Sequence, residues 1–164
     1  MLSESTRQRV DRELAKYPAD QRQSAIIAAL SIVQQELGWV SPESERDLAD
    51  YIGMPPIAVH EVVTFYNMFN TRPVGRFKLN VCTNLPCQLS GGAQTLQYLS
   101  DKLGVAVGET TADGLFTLQQ TECLGACGDA PVALVNDRRM CSYMSPEKID
   151  ALLDELRAQA GGGQ

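Results

Sequence analysis

The stretch Phe77-Lys-Leu-Asn-Val-Cys-Thr-Asn-Leu-Pro-Cys87 contains the change of pattern that decides the fold. Phe77, Leu79 and Val81 alternate with polar residues, which is typical of a half-buried strand. Two cysteines, Cys82 and Cys87, follow the last apolar position of that strand. We therefore predict a strand over 77–81 that runs directly into a cysteine-bearing loop.

The residues after this stretch predict a small α/β domain. A helix is expected over 92–103, followed by strands over 115–121, 132–135 and 139–142. Ser145-Pro-Glu147 has the residue order of a helix start, with a capping serine, a proline in the first turn and an acidic residue after it. The order strand–helix–strand–strand–strand–helix indicates a mixed sheet packed against helices.

The residues before this stretch predict helices, because their apolar positions recur at helical spacing. The first helix is expected over 5–16, and Asp20 opens a second one that ends at Gly38. Two further helices are expected, one ending at Ile52 and one beginning at Pro55-Pro56. The predicted domains are a helical region over 1–72, an α/β domain over 73–160 and a disordered tail over 161–164.

Charge and composition exclude several classes of protein. The net charge is −6 and the sequence pI about 4.8, whereas nucleic-acid binding needs clustered lysines and arginines. The first residues lack the apolar core of a secretory signal. The longest apolar-rich stretch, 25–33, is much shorter than the ~20 residues that a membrane span requires. We therefore expect a cytoplasmic chain without membrane insertion, in a compartment where structural disulfides are rare.

A second cysteine pair, Cys123 and Cys127, follows the strand expected over 115–121. If this strand and the one over 77–81 are parallel neighbours, their loops leave the same edge of the sheet. Ligand sites in α/β sheets usually lie at such strand ends. The four cysteines are therefore expected to form one metal or cluster site.

The spacing of the cysteines by itself leaves two kinds of site open. A [2Fe–2S] cluster takes four thiolates, and a structural zinc ion also takes four cysteines at spacings of this kind. Inert thiols or disulfides are a third alternative to a cluster or a zinc site. A dithiol redox motif is disfavoured because neither pair is Cys-x-x-Cys. We expect nearby glycines to let backbone N–H groups approach the sulfurs. These glycines are Gly91, Gly92, Gly125 and Gly128.

Two other residues with metal-binding chemistry lie outside this pattern. Cys141 has no partner at ligand spacing, so we interpret it as a small buried apolar residue and assign it no role. His60 is the only histidine, and its place on a predicted helix favours a packing or capping role.

Six motifs resemble those of the thioredoxin-like [2Fe–2S] ferredoxin family, in particular the family's member in bacterial NADH:quinone oxidoreductase (respiratory complex I). The resemblance extends over nearly the whole chain, and together the motifs are far more specific than either cysteine pair. They lie at 53–56, 61–68, 73–76, 82–87, 111–118 and 122–131.

The resemblance implies a fold, a cofactor and a role. The fold is a thioredoxin-like α/β domain with an N-terminal helical bundle extension. The cofactor is one [2Fe–2S] cluster on Cys82, Cys87, Cys123 and Cys127, which leaves zinc as a remote alternative. The role is one-electron transfer, without a catalytic site in this chain.

The resemblance also implies a partner and a location. The partner is the flavin- and NADH-binding subunit of the same complex, which holds FMN and NADH. The location is the peripheral arm of a complex attached to the inner membrane. Similar subunits serve NAD-linked formate dehydrogenases and NAD-reducing hydrogenases, which remain alternatives.

Overall fold

The computed structural model describes residues 2–162. The chain divides into two compact units, residues 1–73 and 74–164, and the boundary predicted from the sequence is one residue earlier. No helix among the described residues has the length and apolar character needed to cross a bilayer.

The first unit is built from helices around an apolar core. Serine side chains cap two of them, since Ser3 accepts from the Thr6 N–H and Ser41 from the Ser44 N–H, both at 3.1 Å. The expected second helix begins instead as a 3-10 segment, because Gln21 has a non-helical backbone. The elements are α1 (Glu4–Leu14), the 3-10 segment (Ala19–Ala25), α2 (Ile26–Leu37), α3 (Pro42–Ile52) and α4 (Pro56–Phe65).

The second unit is a mixed four-stranded sheet with helices, as the sequence predicts. The strand order is β2-β1-β3-β4, in which β1 and β2 are parallel and the other pairs antiparallel. Its elements are β1 (Phe77–Cys82), α5 (Leu85–Leu89), α6 (Gly92–Leu103), β2 (Phe116–Thr121), β3 (Ala133–Val135), β4 (Arg139–Cys141) and α7 (Pro146–Gly161).

Helices α6 and α7 contribute to the core of the second unit. Leu79 and Leu118 from the sheet are buried together with Leu99 of α6 and Ile149 and Leu153 of α7. Burying an aliphatic side chain of this size stabilises the fold by about 1.5–3 kcal/mol. This core fixes the end of the sheet from which the cysteine loops depart.

The strand β1 is buried on both faces, so the half-buried strand predicted from the sequence is wrong. Lys78 is only 2% exposed, and its Nζ lies 2.6 Å from Oδ2 of Asp137 in the turn after β3. Asn80 donates to the other carboxylate oxygen at 2.7 Å. The polar face of β1 can be buried because a partner from the β3–β4 turn satisfies its charge.

Two local elements differ from the sequence prediction. The five-residue helix α5 replaces part of the expected loop, because the Asn84 side chain accepts from the Leu85 N–H at 3.0 Å and Pro86 suits a first turn. The predicted disordered tail begins too early, since α7 continues through Gly161. Residues 163 and 164 of that predicted tail lie outside the described residues.

Candidate iron–sulfur centre

The two cysteine loops begin side by side at one edge of the sheet. Cys82 is the last residue of β1, and its register partner in the parallel strand β2 is Thr121, the last residue of that strand. The chain then turns into α5 on one side and towards Cys123 on the other. The two strands are parallel neighbours, which is the condition stated in the sequence analysis, and both loops therefore leave the same edge.

Polar side chains link the two loops. Gln120 donates through Nε2 to Oγ1 of Thr83 at 2.6 Å, and Asn84 donates through Nδ2 to a carboxylate oxygen of Glu122 at 3.2 Å. The first contact joins the residue after Cys82 to the end of β2, and the second joins the first cysteine loop to the residue before Cys123. Neither contact is among the sequence predictions, and the only signal for these residues was that they lie within three positions of a cysteine.

The thiols meet as two pairs with different exposure. Cys87 lies beside Cys82, and Cys127 beside Cys123, so that in each pair one thiol influences the pKa of the other. Cys82 and Cys87 are each 2% exposed, whereas Cys123 and Cys127 are exposed. Among residues 2–162, no three Cys, His, Asp or Glu side chains converge closely enough to hold a single metal ion. Because each iron of a [2Fe–2S] cluster takes two ligands, two pairs of thiols fit such a cluster.

Each pair contains a thiol that is harder to ionise than usual. Burial raises the pKa of Cys87, and the neighbouring Cys82 raises it further. The neighbouring Cys123 raises the pKa of Cys127, and desolvation adds to the shift. A redox-active dithiol enzyme needs a lowered thiol pKa, so these shifts do not favour that interpretation. A metal that binds here releases the protons.

The surroundings of the thiols combine apolar packing with a backbone donor. Cys82 and Cys87 pack with the buried Val132. Gly125, at a φ of +74°, donates its N–H to the Cys123 sulfur at 3.4 Å, as predicted from the sequence. The backbone donor stabilises a thiolate at the exposed Cys123, whereas the apolar packing surrounds the buried Cys82 and Cys87.

The glycines at the start of α6 serve another purpose than the one predicted. Gly91 donates its N–H to the carbonyl oxygen of Gln88 at 3.3 Å. At Gly92, an added β-carbon would stand 2.7 Å from the Cys82 carbonyl oxygen. Gly92 therefore allows α6 to approach the main chain of the first cysteine pair.

The fifth cysteine lies apart from the two pairs. Cys141 is in β4 opposite Ala133, and its thiol contacts the carbonyl oxygen of Arg139 at 3.9 Å. Burial raises its pKa. Cys141 is only partly buried, against the core of the second unit, so the sequence prediction of a small buried apolar residue is correct in its packing but not in full burial.

The sequence profile of the thioredoxin-like [2Fe–2S] ferredoxins matches residues 10–157. The chain belongs to this family. The resemblance stated from the motifs is thereby confirmed, and so is the α/β thioredoxin-like fold class. The assignment of individual ligands in this chain rests on the geometry of its two cysteine pairs.

Several similar proteins are subunits of NADH-oxidising complexes. Subunit 2 of the NADH-quinone oxidoreductase of Thermus thermophilus is 41% identical over 91% of this chain and 82% of its own length. An NADH-quinone oxidoreductase subunit of Rhizobium meliloti is 41% identical over 93% of this chain and 89% of its own length. These relatives confirm the predicted class, an oxidoreductase electron-transfer component.

A solved structure with a similar fold is that of an NAD⁺-reducing [NiFe]-hydrogenase in its air-oxidised state. It superposes with a TM-score of 0.70 at 26% identity and covers 82% of this chain. The match spans only 23% of the hydrogenase chain. The similarity therefore concerns one part of that longer chain.

Proposed function

We propose that this chain binds one [2Fe–2S] cluster on Cys82, Cys87, Cys123 and Cys127 and transfers single electrons within an NADH:quinone oxidoreductase. The observation that carries the proposal is the meeting of two cysteine pairs at one edge of the sheet. When bound, such a cluster accepts and releases one electron at a time.

In this proposal, the two cysteine pairs have different roles in holding the cluster. Cys82 and Cys87 lie in β1 and α5, so regular structure fixes their main chain. Cys123 and Cys127 are exposed, which leaves their side accessible to a redox partner. The Gly125 N–H stabilises the thiolate of Cys123 through its hydrogen bond. The buried pair therefore fixes the position of the cluster, and the exposed pair leaves the cluster accessible to a redox partner.

The partner in this proposal is the flavin- and NADH-binding subunit of the same complex. That subunit would hold FMN and receive hydride from NADH, and the reduced flavin would supply single electrons to the present chain. The names of the two relatives support membership in such a complex, since both are NADH-quinone oxidoreductase subunits. The same proposal assigns the chain to the peripheral arm of the complex, on the cytoplasmic face of the inner membrane.

Metal analysis of the purified chain tests the cofactor. We expect two irons and two acid-labile sulfides per chain, the content that defines a [2Fe–2S] cluster, and a paramagnetic resonance signal after reduction with dithionite. One zinc per chain, with no visible absorption and no signal, would instead support a zinc-stabilised interaction module. Co-purification of a flavin-containing, NADH-oxidising subunit with the tagged chain tests the partner.

A second candidate is the equivalent subunit of an NAD-reducing hydrogenase or an NAD-linked formate dehydrogenase. The fold similarity to part of the hydrogenase chain supports this second candidate. The two assignments differ in the complex that the tagged chain recovers. Quinone reduction by NADH supports the first, and hydrogen- or formate-dependent reduction of NAD⁺ supports the second.

A further inference from the structure

The loop that carries Cys127 is hydrogen-bonded to the segment that follows β4. Tyr143 donates its hydroxyl to Oδ1 of Asp129 at 2.9 Å, and Ser142 donates its hydroxyl to Oδ2 at 3.1 Å. Both oxygens of the Asp129 carboxylate are therefore bound by neighbouring residues of one segment. We call this set of Asp129, Ser142 and Tyr143 the Asp129 clamp.

Main-chain contacts reinforce the clamp. The Tyr143 N–H donates to the Asp129 carbonyl oxygen at 2.8 Å, and the Met144 N–H donates to that of Pro131 at 2.9 Å. Tyr143 itself has a φ of +53°, a conformation that a bulky residue rarely adopts and that persists only where its surroundings determine it.

Helix α7 holds the segment from the other side. Lys148 donates through Nζ to the carbonyl oxygen of Ser142 at 3.1 Å, and the same Nζ lies 5.3 Å from the centre of the Tyr143 ring. A cation at this distance over an aromatic face is attracted to it. The segment that binds Asp129 is thus attached to a 16-residue helix.

Cys127 needs support of this kind more than the first cysteine pair does. It begins a single 3-10 turn, Cys127–Asp129, in the long connection between β2 and β3, whereas Cys82 and Cys87 lie in a strand and a helix. Because Asp129 ends the same turn, fixing its carboxylate fixes the main chain at Cys127.

We propose that Tyr143 and Ser142 are positioning residues of the cluster site: by binding both carboxylate oxygens of Asp129, they hold Cys127 where its thiolate can ligate iron. This inference rests on the proposed function, because it assigns the clamp to the same site. It adds a second group of residues, from beyond β4, to a site that the four cysteines define.

The test compares two variants that each remove one tyrosine hydroxyl. Tyr143→Phe removes a clamp hydrogen bond without changing charge. Tyr98→Phe is the matched control, since the Tyr98 hydroxyl also donates to a carboxylate of the second unit, that of Asp150, at 3.0 Å. The readouts are the rate at which an excess of chelator removes iron from the full chain and the paramagnetic resonance spectrum of the reduced protein.

We expect Tyr143→Phe to lose iron roughly ten-fold faster than the wild type, a factor equivalent to about 1.4 kcal/mol, and to show shifted g-values. The control should keep both wild-type properties. A loss of fold stability alone would not shift the spectrum, so the g-values separate positioning from general destabilisation. Ser142→Ala, which removes the other side-chain hydrogen bond to Asp129, should have the same effects and serves if Tyr143→Phe does not fold.

If Tyr143→Phe and Ser142→Ala both keep the wild-type spectrum and the wild-type rate of iron release, the positioning role of the Asp129 clamp is refuted. The proposed function would then still stand. A wild-type chain that binds no iron–sulfur cluster would instead overturn the proposed function, and the clamp with it. A shift of equal size in Tyr98→Phe would also overturn the clamp, because it would show that any lost tyrosine hydroxyl disturbs the site.

Discussion

Gly92 packs directly against the main chain of Cys87. A β-carbon at Gly92 would stand 2.9 Å from the Cys87 carbonyl oxygen, closer than such atoms approach in folded proteins. The start of α6 and the second cysteine of the first pair are therefore as close as two main chains allow. Only glycine fits at this position, because a β-carbon would displace the main chain of Cys87, a proposed cluster ligand.

Gly92→Ala should disturb the proposed cluster site. The obstructing atoms belong to the main chain, so they cannot move aside as a side chain would, and overpacking of this kind costs about 1–3 kcal/mol. We expect a lower midpoint in urea unfolding and less iron per chain than in the wild type. Gly161→Ala is the control, because an added β-carbon there meets nothing within 4 Å. Full iron content in Gly92→Ala would contradict this prediction.

Single Cys→Ser variants test the assignment of ligands. Replacing Cys82, Cys87, Cys123 or Cys127 should reduce or abolish iron binding, because serine is a poorer ligand for a cluster that prefers thiolate. Cys141→Ser should retain the cluster, since this thiol contacts the carbonyl oxygen of Arg139 in its own strand. Visible absorption and iron content measure the outcome. A Cys141→Ser protein purified without iron would refute the assignment.

Asp137→Asn should destabilise the second unit by about 3 kcal/mol, the lower end of the cost of breaking a buried ion pair, because the Asp137 side chain is itself 25% exposed. The substitution leaves the ammonium of the buried Lys78 without its carboxylate, and breaking a buried pair is strongly destabilising. Asparagine tolerates the positive φ of +57° at this position, so backbone strain does not contribute. Urea unfolding measures the change.

A surface pair provides the control for Asp137→Asn. Asp154 lies 3.5 Å from Arg157 and its side chain is 79% exposed. We expect Asp154→Asn to change the free energy of unfolding by less than about 0.5 kcal/mol. If Asp137→Asn and Asp154→Asn change the free energy of unfolding equally, the burial of Lys78 does not determine the destabilisation.

The pair of Arg139 and Glu155 should make stability depend on acid pH. Arg139 hydrogen-bonds both carboxylate oxygens, at 2.5 and 2.8 Å, and these bonds lower the pKa of Glu155. Because the folded-state pKa is lower than the unfolded one, the stabilisation is present above the ordinary glutamate value of about 4.3 and is lost as the pH falls through the folded pKa.

Melting temperatures of the wild type and Glu155→Gln between pH 2 and 7 measure this contribution. The difference between the two proteins should be constant at neutral pH and shrink below about pH 4. It should also be smaller at high salt, because the pair is exposed. A difference that remains constant down to pH 2 would refute the prediction.

Local residue patterns were sufficient to predict most elements of the second unit. The alternation in 77–81 identified β1, and Ser145-Pro146 identified the start of α7. Helix α5 was not predicted because five residues are too few to display a helical period. The burial of Lys78 was not predicted because its partner, Asp137, lies in a turn far along the chain.

The sequence by itself determined which thiols belong together as pairs and that each pair follows a strand, because both properties depend on residues a few positions apart. Only the tertiary structure decided that Cys82 and Cys87 are buried while Cys123 and Cys127 are exposed. It also decided that Asp129 receives hydrogen bonds from Ser142 and Tyr143. These outcomes depend on how the sheet pairs and on where α7 packs, and such distant contacts leave no local pattern in the sequence.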